Sequence, residues 1–515
     1  MILCLALVVA GPLLTPLQSK PKIADTSTEG QRLVLEGIRL LNAERLDEAA
    51  TRFEEAVSRE PSLATAHYFL GFVLEKRKDL AGAAREYEQA LVLDERMAEA
   101  HDRLGFVRGL EGQTEQALAR FQHAVSLNPR LFDAQYHLGV TRWMVQDFTG
   151  ALEPLKAAVA LQPANPDAHY YLGVVLRRQG QLDAAIREFR TAAKLNPTLA
   201  IAFTYLGVAL RERGSVDEAI ATLQHAISLD PSRFDAINGL GLAYVQRGDP
   251  EEAVATFEKA VAEHPEEPAG RLNLGTALMQ KADLKSAVAV LSKLTADRPD
   301  YAEAFYNLGA ALKQQDDFEG AERALREAVR LNGTLADAHY TLGVVLWQTR
   351  RLPEAADELR AAIAARPQYA QAHYMLGTIL RQQGDQDGAL AEFRRTVEYE
   401  PQSPEAFLSI GQILQRRQDE AGASTAFAEA DRLNKQKADQ QAAVFAVSVG
   451  RQRLQQGDLK GAVAQLQDAV TLDPSNARAH YELSKALRKI GDVAAARRHL
   501  DEARRLDAHI VPQAP

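Results

Sequence analysis

Six histidines, His67, His101, His169, His339, His373 and His480, share one register: each lies four residues before the small residue that marks a 34-residue period. Histidine is the commonest metal ligand and a frequent general base, so such a row raises the question of metal or proton-transfer chemistry. Spacing argues against a shared metal. Equivalent residues of neighbouring helix pairs stand roughly 10 Å apart, whereas a metal holds its ligands at about 2 Å. The same register carries Phe203, Phe305 and Phe407, so the position reads as packing. A second row is aromatic and cationic. Three residues before the marker come Tyr68, Tyr136, Tyr170, Tyr306, Tyr340, Tyr374 and Tyr481. Four after it come Trp143, Arg177, Arg211, Lys313, Trp347 and Arg381, and both tryptophans of the chain fall on this position. Together with the residue one after the marker, these positions form a helix face that the core does not use. Large apolar side chains on an exposed stripe mark contact sites. Flat aromatic surface beside cations suits a peptide carrying apolar side chains and a carboxylate. The chain has no Gly-rich phosphate loop of the required spacing, no HExxH and no cysteine cluster. No catalytic, cofactor or metal site is therefore expected, and the chain reads as something other than an enzyme.

The elements that position these rows follow from the period. Gly37, Gly71, Gly105, Gly139, Gly173, Gly207, Gly241, Gly275, Gly309, Gly343, Gly377 and Gly411 keep the 34-residue step, and a 39-residue step leads to Gly450 before the period returns at Ser484. Twelve residues after each marker stands an alanine, from Ala49 to Ala496. Four further on is Phe, Tyr or Leu in every unit, as in Phe53, Tyr87, Phe121 and Leu155. A second alanine usually follows, and then a proline such as Pro61, Pro129, Pro163 or Pro474. Small residues suit a close approach of two helix backbones, and the proline ends the second helix. Each unit is thus a helical hairpin around a polar turn such as Arg178-Gln179-Gly180-Gln181. One hairpin cannot bury its apolar face alone, so the fold expected is an all-α solenoid of about fourteen repeats and twenty-eight helices.

Units such as Ala168-His169-Tyr170-Tyr171-Leu172-Gly173, followed by Ala185, Phe189, Ala192 and Pro197, resemble the tetratricopeptide (TPR) repeat over about residues 30–510. The resemblance implies a right-handed superhelix whose concave groove holds other proteins as extended or helical peptides. It also implies that the aromatic and cationic face lines that groove. Tyr136, Trp143, Tyr170, Arg177 and Arg211 would then form one patch, and Tyr306, Lys313, Tyr340, Trp347, Tyr374 and Arg381 a second. Two groove chemistries of the family are not matched. The Lys and Asn of the chaperone-tail clamp are replaced by Tyr170 and Val174, or by Tyr340 and Val344. The asparagine ladder of the O-linked N-acetylglucosamine transferases is reduced to Asn273 and Asn307.

The ends and one break complete the reading. Residues 2–14 form an apolar run interrupted only by Gly11 and Pro12, too short to span a bilayer. Residues 1–19 therefore read as a signal peptide, 20–29 as a polar lead-in and 511–515 as a tail. Repeats 1–12 fill 30–434, a helical insertion 435–442, and repeats 13 and 14 residues 443–510. No Gly or Pro occurs from Ala423 through Val449, so an extended helix is expected there, turning the last two units relative to the first twelve. Cys4 is the only cysteine, so disulfides contribute nothing to the array. A net charge of −9 with no basic tract gives no footprint for nucleic acid. The expectation is a non-catalytic scaffold that binds peptide segments of partner proteins in its groove. It would be secreted or periplasmic if residues 1–19 work as a signal, and cytoplasmic otherwise. The alternative is a recruiting or assembly subunit for a separately encoded transferase or secretion machinery.

Overall fold

The computed structural model describes residues 28–507 and residue 510, so the expected signal peptide, most of the lead-in and the tail lie outside the described residues. Among the described residues there are α-helices and turns and no strand. The chain divides into two compact units, one ending at Lys281 and the other beginning at Ala282. Each is a stack of helical hairpins.

Repeat 5 shows why the sequence folds this way. Its first helix, Pro166–Arg178, begins with the Asn165 side chain accepting from the Ala168 N–H and has proline at its start, where no intrahelical donor is lost. The turn follows, and the second helix, Leu182–Leu195, returns. The marker glycine is required by its partner sixteen residues on. A Cβ built on Gly173 would lie 2.7 Å from the Phe189 ring, and one on Gly207 would lie 2.5 Å from Leu223. The alanines flanking that partner, Ala185 and Ala192, are fully buried. In eight second helices the preceding aspartate accepts from a backbone N–H three residues on, as Asp317 does from Gly320 at 2.9 Å. Turns close through a left-handed residue, glycine in several repeats, such as Gly214 at φ 91°.

The described residues hold 27 helices rather than the twenty-eight expected. The second helix of repeat 12 and the first of repeat 13 are one helix, Glu420–Gln456, of 37 residues, where other helices have 13 or 14. The five inserted residues replace the turn with good helix formers, and nothing in the segment breaks the backbone hydrogen bonding. No helix of the described residues is long and apolar enough to cross a membrane.

Candidate functional site

First helices of successive repeats touch one another within each unit, for example Pro166–Arg178 with Ala200–Arg213 and Ala336–Gln348 with Ala370–Gln383. Side chains on their shared face therefore form rows running from repeat to repeat.

In the first unit the row is aromatic. Phe132 stacks on Tyr136 at 5.6 Å, Tyr136 meets Tyr171 edge-on at 5.9 Å, Tyr171 meets Tyr170 at 4.9 Å, and Tyr170 meets Tyr205 at 5.4 Å. Trp143 packs edge-on against Tyr171 at 5.2 Å. These are the geometries that aromatic quadrupoles favour. The sequence reading set Tyr136 and Tyr170 on the binding face, but both rings are buried, 8% and 5% exposed. The tyrosines two residues before the neighbouring markers, Tyr171 and Tyr205, pack over them. Burial pushes both phenols well above their ordinary range, so they remain neutral. Trp143, Tyr171 and Tyr205 are half-buried and present the aromatic surface instead.

Two arginines complete this patch. Arg177 lies over the Tyr205 ring at 5.6 Å and donates from Nη1 to Glu212 at 2.7 Å. Arg211 is half-buried, its Nε has no hydrogen-bond partner, and no carboxylate among the described residues pairs with it. A guanidinium in that state holds unused donors suited to a carboxylate.

In the second unit, Trp347 is half-buried against the core and donates from Nε1 to Gln382 Oε1 of the next repeat at 3.1 Å. Arg381 donates to Gln412 Oε1 at 3.1 Å and lies 5.6 Å from the Phe393 ring, which Tyr374 contacts at 5.5 Å. Tyr340 packs on Tyr369 at 5.1 Å. Tyr369 donates to Asp337 at 2.9 Å, and Arg366 pairs with the same carboxylate at 2.8 Å. The hydrogen bond from Arg366, with that from Tyr369, holds the Asp337 carboxyl below its usual range. Tyr306, Tyr340 and Tyr374 are half-buried, and Lys313 has no carboxylate partner among the described residues.

The histidine row forms a polar clamp inside four hairpins, those of repeats 2, 5, 10 and 11. In repeat 5, Nδ1 of His169 lies 2.6 Å from Glu188 Oε2 and Nε2 lies 2.9 Å from the Pro163 carbonyl. His67, His339 and His373 repeat the arrangement with Glu86, Glu358 and Glu392. Two acceptors facing one ring call for protons on both nitrogens, leaving no lone pair for a metal. The glutamate hydrogen bond raises the His169 and His339 pKa above the ordinary value. At His373 burial opposes the rise, but the bonds to Glu392 and to the Pro367 carbonyl prevail. Two of the six histidines face another residue in place of the glutamate. His101 faces Arg120 at 3.4 Å, and His480 faces His499 at 3.0 Å. Burial lowers the pKa of His101 and of His499.

Reading only three register positions missed several groups. Tyr171 and Tyr205 lie two before their markers, and Glu212, Gln246 and Gln382 lie five after. A polar residue recurs at that last position, a signal visible in the sequence. A buried network at repeats 2–4 was also missed: His137 Nδ1 lies 2.8 Å from Asp102, Arg103 lies 3.5 Å from both Glu75 and Asp133, and Tyr87 donates to Glu75 at 2.8 Å. These charges satisfy one another and close the stripe there.

Helical hairpins stacked by a small residue under a large one, with side-chain rows along the first helices, define a helical-repeat interaction scaffold. The tetratricopeptide repeat family model matches residues 34–100, 111–166, 141–200, 172–234, 204–268, 306–370, 340–398 and 374–438, and related repeat models match 244–312 and 450–491. The chain belongs to the tetratricopeptide repeat family. Among solved structures it is similar to yeast Tom70, with 14% identity over 82% of this chain and 98% of that one, at a TM-score of 0.42. It is similar to YrrB, a TPR protein with an unusual peptide-binding site, with 24% identity over 36% of this chain and 96% of that one, at 0.34. MamA is 28% identical over 32% of this chain and 95% of its own, at 0.30. Among curated proteins no sequence matches the chain.

Proposed function

We propose that this protein is a non-catalytic scaffold that binds peptide segments of partner proteins along the exposed face of its first helices. One observation carries the reading: half-buried tryptophans lie in the same rows as cations that have no carboxylate partner among the described residues, Trp143 with Arg211 and Trp347 with Lys313. The aromatic surface would take apolar side chains, and the free cations a carboxylate. The apolar run at residues 2–14 supports export, and with a functional signal there the scaffold would be secreted or periplasmic. A displayed random-peptide library selected on the full chain tests the binding reading. Enriched peptides should combine apolar residues with an acidic side chain or free C-terminus and lose binding in Trp143→Ala or Trp347→Ala. Enrichment unaffected by either substitution would reject it.

A further inference from the structure

The helix Glu420–Gln456 leaves two faces of the array without the neighbour that every adjacent repeat has. Sixteen residues after the marker, Leu325, Leu359, Phe393 and Leu466 are fully buried. That position packs on the next repeat's first helix, as Phe121 does on His137 at 5.3 Å and Phe189 on Tyr205 at 6.0 Å. In repeat 12 it is Phe427, only half-buried. Five residues before the marker, Ala338, Ala372, Ala406 and Ala479 are fully buried. In repeat 13 that position is Phe445, 70% exposed, beside Val444 at 63%. The cause is geometric: two halves of one continuous helix cannot fold onto each other.

We infer that a second copy of this chain fills both faces, the two Glu420–Gln456 helices packing antiparallel about a two-fold axis. Three features support a copy as the occupant. Phe427 and Phe445 lie on one side of the helix, about five turns or about 27 Å apart. An axis level with their midpoint, Gln436, brings Phe427 of each copy to Phe445 of the other, so the surface is self-complementary. Nearest the axis the same side carries two short exposed residues, Asn434 and Ala438, flanked by Asp431 and Gln441, and the short pair permits close approach there. Charge leans to the antiparallel sense: before Gln436 lie Glu420, Glu429 and Asp431 with Arg432 and Lys435, a net −1, and after it Lys437, Arg451 and Arg453 with Asp439, a net +2. A parallel pair would oppose like charges. The packing continues the array's own geometry, in which a second helix lies antiparallel against the next first helix. Polar residues at two positions that are apolar in neighbouring repeats, Asp431 and Gln452, limit the apolar contact to the two Phe pairs and make the dimer depend on them.

Sedimentation equilibrium of the full chain should give a dimer. Phe445→Asp should raise its dissociation constant more than tenfold with helical circular dichroism unchanged, since the side chain is exposed in the single copy. In a Cys4→Ser background, mixing Asn434→Cys and Ala438→Cys proteins should yield a disulfide-linked pair on oxidation that neither protein gives alone. A monomer at all concentrations, or a dimer that persists in Phe445→Asp and gives no mixed disulfide, overturns the inference.

Discussion

Trp347→Ala separates a binding residue from a packing residue, and the structure sets both magnitudes. The indole is half-buried at the edge of the second unit's core and bonds the exposed Gln382 at 3.1 Å. Full burial of a large apolar side chain is worth about 1.5–3 kcal/mol, and a net hydrogen bond about 1 kcal/mol. Because the side chain is only half-buried and Gln382 can rebond to water, truncation should cost about 1–2 kcal/mol of stability. The sequence reading, which put the residue outside the core, expects almost none. Phe393→Ala is the internal reference: its ring is fully buried beneath the same stripe, and its loss should cost about 3–5 kcal/mol. For a library-selected peptide the order reverses. An aromatic anchor contributes about 2 kcal/mol or more, so Trp347→Ala should weaken binding by more than tenfold, and Trp347→Phe by less. Guanidinium unfolding followed by circular dichroism gives the stability, and calorimetric titration the affinity. In the variant Trp143 is the only tryptophan left, so its fluorescence reports the first unit alone. A Trp347→Ala protein that unfolds as early as Phe393→Ala yet binds normally would show that the indole is packing and would refute the proposed anchor.

Four further outcomes follow from particular contacts. His169, His339 and His373 have raised pKa values in the folded chain. Their contribution is therefore full below the unfolded value of about 6.5 and is lost as pH rises through the folded one. The triple Gln variant should lose more melting temperature at pH 6 than at pH 8; an equal loss at both would refute the doubly bonded imidazolium. Gly173→Ala should lower stability by about 1–3 kcal/mol through overpacking on Phe189, whereas no change in the denaturation midpoint would mean that the ring yields freely. Arg211→Ala should flatten the salt dependence of the peptide on-rate in stopped flow, while an unchanged slope would show that this cation takes no part. Trypsin should spare Lys435 and Lys437 until late, because both lie inside the 37-residue helix; first cuts there would indicate a frayed junction.

The hairpin fold was readable because the units obey one steric rule, a glycine (Ser484 in the last) beneath a large side chain sixteen residues on, and the rule repeats until chance is no explanation. The site was less readable for a physical reason. A helix face is wide, and a register position fixes direction but not depth. Tyr136 and Tyr170 point along the stripe, yet Tyr171 and Tyr205 from positions assigned to no role cover them. Depth depends on the neighbour's side chain, which the repeat does not dictate. The same dependence explains the histidines. Their register is constant, but the residue fifteen after the marker, Glu188, Arg120 or His499, decides whether the imidazole meets a carboxylate, a guanidinium or a second imidazole.

At the junction the dependence runs the other way, because there it is the neighbour that is missing. Phe445 replaces an alanine that is buried in the adjoining repeats, and Asp431 replaces a run of aliphatic residues at its own position. A surface relieved of its partner and under no other demand would be expected to turn polar throughout, since exposed aromatic rings invite nonspecific contact. This one became polar at Asp431 and Gln452, stayed aromatic at Phe427 and became aromatic at Phe445, the two positions that a two-fold axis can pair. The departures from the repeat therefore carry information that the repeat itself cannot, since the repeated positions answer to the stack and only the exceptions answer to something outside it.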